Sequence, residues 1–289
     1  MKISSAIFLA AVFVFGLASA AKAQKLNLEK VIAELDKSDC VLVAAGKIKI
    51  CRYDYRFENK AVEAVVVRPA TDGRFPAVLL APGFDLTARD LIPMGVMLAH
   101  ENFAGIAVTP PGFGKSEGKP DFVGPATIKT FVAGWNKFKQ EPFVDAAKMA
   151  IYGHSRGGMA AALLAVELKD ARAAVLASGI YDFRLAAEET RFAGMHERMS
   201  AETWMDEQSF KERSAILRIN ELNTPVLVLH GEKDEKTSVN QAYRLRDKLT
   251  ALKKDFEIKI YPEAGHALDS RETARLAADF FRRKLNGGK

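Results

Sequence analysis

Cysteine is scarce in this chain. Its 289 residues include two, Cys40 and Cys51, too few for the roughly four ligands of a structural zinc site. Neither stands in the histidine and acid context of a thiol nucleophile. Charge of one sign never accumulates either. The formal net charge is +6, but the basic residues are scattered, as in Lys253-Lys254 and Arg282-Arg283, which excludes a nucleic-acid patch. No apolar run approaches the roughly 20 residues that a membrane span needs. With 48% hydrophobic and 27% charged residues, the composition is that of a globular protein and excludes a disordered or collagen-like chain.

What is present begins with a distinct amino terminus. Lys2 precedes an apolar stretch over 6–17 and the small residues Ala18-Ser19-Ala20-Ala21-Lys22-Ala23, the three-part pattern of a secretory signal peptide. Cleavage fits after Ala20 or Ala23, and Ala23 is preferred, so residues 1–23 are expected to be removed. The alternative, a retained anchor, is disfavoured by length. The mature protein is then secreted or periplasmic, with no membrane contact after cleavage. Export changes how the cysteines are read. Cys40 and Cys51 flank Val41-Leu42-Val43 and Ile48-Lys49-Ile50, two short strands turning at Ala45-Gly46, which places the two thiols opposite each other for a structural disulfide. Residues 24–60 are therefore an amino-terminal extension ahead of the main domain at 61–289.

From residue 61 onward short apolar runs alternate with helical periodicity. Strands are expected at 61–68, 77–81, 106–109, 149–152, 173–177, 226–229 and 256–261, and helices at 90–101, 128–139, 156–168, 239–252 and 271–285. That rhythm predicts an α/β fold, a mostly parallel twisted sheet covered by helices on both faces. Chemistry is then sought beyond the carboxyl ends of the strands. Residues 183–223 break the rhythm with charge, Met195, Met199, Trp204 and Met205, and read as a small helical cap. Its apolar side chains either line a pocket or pack among themselves, and Trp135 and Phe138 on the preceding helix pose the same question.

The strongest motif is Gly153-His154-Ser155-Arg156-Gly157, a G-x-S-x-G directly after one strand and before an alanine-rich helix. Glycines flank the serine because the strained turn that exposes its hydroxyl leaves no room for side chains. A serine hydroxyl needs a base, and the base an orienting acid. Of five histidines, His266 is the candidate, in the loop Tyr261-Pro262-Glu263-Ala264-Gly265-His266 between the last strand and last helix. His154 points from the wrong residue, His230 ends a strand, and His100 and His196 read as surface or packing residues. Asp234, after the preceding strand, is the candidate acid, with Asp182 as its rival. The order Ser155, Asp234, His266 is the one such folds use. Oxyanion donors are expected from the backbone N–H groups of Arg156 and of Phe84, in the loop Pro82-Gly83-Phe84-Asp85. The stretch Gly112-Phe113-Gly114-Lys115-Ser116 holds a G-K-S, but Thr109 stands where a phosphate loop needs glycine, so it reads as a loop bordering the site.

These residues resemble a family. From about residue 61 to 285 the chain resembles an α/β-hydrolase, and Gly153 to Gly158, His230 to Val239 and Gly265-His266 resemble the catalytic domain of the prolyl oligopeptidase family, with dienelactone-hydrolase-like enzymes as relatives. The resemblance implies a serine hydrolase whose triad is Ser155, Asp234 and His266. There are departures from it. Members carry a large amino-terminal propeller, several use a tyrosine hydroxyl where this loop has Phe84, and dienelactone hydrolases use cysteine where this chain has Ser155. The substrate expected is a small-molecule ester or a short peptide, with no metal or organic cofactor. The rival reading is a secreted binding protein on the same scaffold without turnover.

Overall fold

The structure, a computed structural model, describes residues 26–190 and 194–287. The expected signal peptide at 1–23 lies outside them. Among the described residues no helix is long and apolar enough to cross a membrane.

The described residues open with helix α1 (Leu28–Leu35), capped by the Asn27 side chain, which accepts from Lys30 N–H. Strands β1 (Cys40–Val43) and β2 (Ile48–Arg52) form the expected antiparallel hairpin, with Cys40 opposite Cys51. The two cysteines are joined in a disulfide. The single strand expected over 61–68 is divided. Strand β3 (Tyr55–Phe57) pairs with β4 (Lys60–Val62) as a separate two-stranded sheet, and β5 (Ala64–Pro69) joins the main one. Glu63 is the break: its N–H donates to Ser116 Oγ and its carbonyl accepts from Thr109 N–H.

The remaining strands are β6 (Phe75–Ala81), β7 (Ala104–Val108), β8 (Val144–His154), β9 (Ala173–Ala177), β10 (Val226–Gly231) and β11 (Phe256–Tyr261). In the nine-stranded sheet the order is β1-β2-β5-β7-β6-β8-β9-β10-β11. From β7 to β11 every neighbouring pair is parallel, and the three pairings at the β1 end are antiparallel. Helix α2 (Ile92–His100) follows a short 3-10 turn at Arg89–Leu91, so the helix expected from residue 90 starts later. Helices α3 (Pro125–Phe138), α4 (Arg156–Glu167), α8 (Asn240–Ala251) and α9 (Ser270–Asn286) fall where the periodicity places them. The helices cover the sheet on two sides. Side chains of β6 alternate between them: Ala77, Leu79 and Ala81 join the core under α3, α4 and α8, whereas Val78 and Leu80 join the core under α1, α2 and α9. Trp135 and Phe138 are wholly buried in the first of these cores, so they pack the helix and do not face a pocket.

The segment expected to form a cap holds α5 (Phe183–Glu189), α6 (Met195–Glu202), α7 (Glu207–Arg213) and a 3-10 turn at Ala215–Glu221. The Asp182 and Asp206 side chains cap α5 and α7 by accepting from Leu185 and Ser209 N–H. Arg213, nearly buried, donates to the Ser209 and Asp121 carbonyls and so ties α7 to the loop before α3.

Candidate active site

Strand β8 ends at His154, and α4 starts at Arg156, so Ser155 forms the whole corner between them. Its backbone has φ 59° and ψ −124°, a conformation that side-chain-bearing residues rarely adopt. Ser155 N–H donates to the Ala177 carbonyl at 2.8 Å, which pins the corner to β9. A Cβ at Gly153 would lie 1.9 Å from the Gly157 carbonyl oxygen, and one at Gly157 would lie 2.0 Å from that of Ala81. Only glycine fits at either place, and the turn holds the hydroxyl clear of the sheet.

Three loops at the carboxyl ends of β8, β10 and β11 converge on that hydroxyl. Ser155 Oγ lies 2.8 Å from His266 Nε2, and His266 Nδ1 lies 3.0 and 2.9 Å from the Asp234 oxygens Oδ1 and Oδ2. Because the carboxylate can only accept, the hydrogen-bond network assigns the imidazole proton to Nδ1 and leaves Nε2 free to accept from the serine. Asp234 itself is held from several sides. Its Oδ1 accepts the N–H groups of Lys236 and Thr237, both at 2.9 Å, and His230 Nε2 lies 3.3 Å from Oδ2. Burial pushes the carboxyl up, but the hydrogen bonds from His230, His266 and Thr237 outweigh it and hold the group below the usual carboxylate range.

Two histidines that the sequence reading set aside support this arrangement. His230, fully buried, places Nε2 2.9 Å from the Thr237 carbonyl, beside Asp234. His154 Nε2 lies 2.9 Å from the His266 carbonyl and so steadies the loop that carries the imidazole. Burial pushes His154 below its ordinary value, despite that bond. Their positions at the ends of β10 and β8 were visible in the sequence, but no spacing rule pointed to partners in distant loops. Asp182, the rival acid, caps α5 and pairs with Arg244 at 3.2 Å, and is not joined to His266.

Ser155 opens into a cavity of about 230 Å³ whose walls include Phe84, Leu86, Phe122, Ile180, Met195 and the Arg156 residue. Lys236 and Thr237 stand on its rim beside His266. The Arg156 N–H belongs to the first turn of α4, where a helix has no internal acceptor for it, and Phe84 lies in the loop after β6 on the same cavity. Of the cap's apolar residues, Met195 lines the cavity, Met199 is buried and Trp204 is 90% exposed. Phe113, in the loop that carries the G-K-S stretch, stacks on the Arg156 guanidinium at 4.5 Å. Among the described residues no cluster of His, Cys, Asp and Glu could hold a metal ion.

A serine, imidazole and carboxylate in series on this fold have counterparts among known proteins. Residues 122–288 match the family model described as the prolyl oligopeptidase family. The chain belongs to the prolyl oligopeptidase family. Membership makes it a peptidase-like serine hydrolase. It is 28% identical over 227 residues to the uncharacterized peptidase YtmA of Bacillus subtilis (strain 168), covering 77% of this chain and 88% of that protein. Dipeptidyl-peptidase 5 of Porphyromonas gingivalis is 25% identical over 235 residues, 73% of this chain. The chain spans only 34% of that longer relative. Among solved structures, the Pyrococcus horikoshii acylaminoacyl peptidase superposes with a TM-score of 0.72 at 15% identity, over 84% of this chain and 43% of the other. An acetyl xylan esterase from Paenibacillus sp. R4 gives 0.67 at 14% identity, over 89% and 93%. At such identities these two share the α/β-hydrolase fold of this family member and nothing finer.

Proposed function

We propose that this chain hydrolyses peptide bonds in short peptides by acyl transfer through Ser155. The observation that carries the reading is the 2.8 Å approach of Ser155 Oγ to His266 Nε2, with Asp234 on the opposite ring nitrogen. His266 takes the serine proton as Oγ attacks the carbonyl carbon, and Asp234 keeps the ring oriented and stabilises the imidazolium. The carbonyl oxygen, now negative, is received by the N–H groups of Phe84 and Arg156. His266 then protonates the departing amine, the C–N bond breaks, and an acyl-serine remains. Water, deprotonated by the same imidazole, attacks that ester and releases the acid and the free serine. No step calls for a metal or an organic cofactor. An amide is favoured over an ester because the matching family model and the two sequence relatives named above are those of peptidases.

The rest of the organisation follows the same reading. Residues 1–23 act as an export signal removed after Ala23, residues 24–60 form a disulfide-stapled extension, and 183–223 form a cap inserted into the hydrolase domain at 61–289. Secretion suits a disulfide, which persists in an oxidising compartment. A panel of aminoacyl and peptidyl p-nitroanilides beside short p-nitrophenyl esters tests the substrate class. Anilide turnover that disappears in Ser155→Ala is the expected result. Ester turnover with no anilide cleavage would overturn the peptide reading, and turnover that persists in Ser155→Ala would overturn the site.

A further inference from the structure

The Arg156 side chain is unusual for a residue whose backbone already has a place in the oxyanion site. It is 5% exposed, yet among the described residues its guanidinium makes one hydrogen bond, to Glu202 Oε2 at a long 3.4 Å. A guanidinium carries five N–H donors, and stripping them of water without replacement is costly. Glu202 is a divided partner. The same Oε2 accepts the Phe122 N–H at 2.9 Å, and Oε1 accepts from Arg198 at 3.4 Å. Burial accordingly pushes Arg156 below its ordinary value, even with Glu202, Asp121 and Asp85 nearby.

The surroundings say where a further acceptor would come from. Phe113 covers the guanidinium at 4.5 Å, while Phe84 and Phe122, at 5.9 and 5.7 Å, are themselves walls of the cavity that contains Ser155. The cation therefore sits at the aromatic wall of the reaction cavity. Among the described residues Arg156 and Lys236 both line that cavity, and no carboxylate does. The proposed acyl residue occupies this same cavity, so its side chain can be placed against the wall that carries the guanidinium. Apolar walls at Leu86, Ile180 and Met195 suit the methylene stem of that side chain.

We infer that the cavity selects an acidic residue on the acyl side of the scissile bond, its carboxylate bound by the Arg156 guanidinium. The inference rests on Ser155 being the nucleophile, as proposed above. A carboxylate matches the planar fork of arginine with two parallel hydrogen bonds, which an amide of equal shape cannot do. Glu202 competes for the same donors and gives way in part when the substrate arrives.

The test uses peptidyl aryl phosphonates with a glutamate, glutamine or leucine side chain at the position next to phosphorus, beside a simple fluorophosphonate that has none. Labelling rates are read by mass spectrometry. In the wild-type protein the glutamate reagent should react at least ~10-fold faster than the glutamine isostere, the effect of a buried charge-assisted pair. That ratio should collapse toward ~1 in Arg156→Met and rise in Glu202→Gln, which frees the guanidinium. Should Arg156→Met fail to fold, the wild-type ratio and the Glu202→Gln change still decide. Equal rates for glutamate and glutamine in a protein that the simple reagent labels at Ser155 overturn the acidic preference alone, and leave Arg156 and Glu202 as a clamp between α4 and α6. No labelling by the simple reagent overturns the nucleophile and the inference together.

Discussion

At the scale of single residues, the proposed nucleophile is a serine whose hydroxyl meets the His266 imidazole. Asp234 accepts from two backbone N–H groups and two histidines, so it holds the His266 ring and stays ionised. Asp234→Asn should keep the fold and lower kcat by about ten-thousand-fold, because the amide allows the wrong imidazole tautomer; steady-state kinetics on the best anilide checks it, and a loss below tenfold contradicts the assigned role. That Ser155, His266 and Asp234 would meet was legible in the sequence, since each follows an apolar strand and a glycine-marked turn. Glu202 and His230 were not. Glu202 meets Phe122 across 80 residues, and nothing local in Met199-Ser200-Ala201-Glu202 distinguishes it from a solvated helix charge. His230 reads as a strand end, and its value lies in where the next loop returns Thr237 and Asp234.

At the scale of elements, the turn between β8 and α4 depends on space. Gly153→Ala puts a methyl group against the Gly157 backbone, and neither strand end nor helix start can shift without losing the Ser155 N–H bond to Ala177. The variant should therefore be unlabelled by fluorophosphonate, and should also lose folding stability; circular dichroism melts report the second effect. A variant as active and as stable as wild type would refute the close-packed turn. The β1–β2 hairpin makes a separate prediction. Its disulfide closes a short loop, with a sequence separation of 11, and replacing both cysteines by serine should cost roughly 3 kcal/mol in the chain-entropy description, read as a lower denaturant midpoint. The parallel strands and most helices were legible because apolar runs of strand length alternate with helical periodicity. The division of the stretch 61–68 was not. Glu63 interrupts an otherwise apolar run by a single residue, and it is the Ser116 hydroxyl, supplied by a loop far along the chain, that takes up its N–H.

At the scale of the whole molecule, the sheet brings the ends of β8, β10 and β11 together, α6 adds Met195 to the cavity wall, and Arg213 ties α7 to the Asp121 carbonyl. Which face of the sheet each helix covers could not be read from single periodicities, which fix an apolar side but not the layer it meets. Burial has a consequence for pH. The folded protein resists a proton at His154 that the unfolded chain accepts below about 6.5, so stability rises with pH across that window and is lost as pH falls through it. Asp234, held low, and Asp36, lowered to about 2 by Arg89 and Lys115, contribute stability above about pH 4 that is lost on further acidification. Melting temperatures should fall from pH 7 to 5, and His154→Gln, which can still donate to the His266 carbonyl, should flatten that slope; an unchanged slope contradicts the burial account. The proposed activity requires one reactive hydroxyl, that of Ser155. Treating the folded protein with a fluorophosphonate and mapping the adduct should give a single label on Ser155, abolished in His266→Ala; a folded protein left unlabelled, or labelled at another serine, would contradict the assignment.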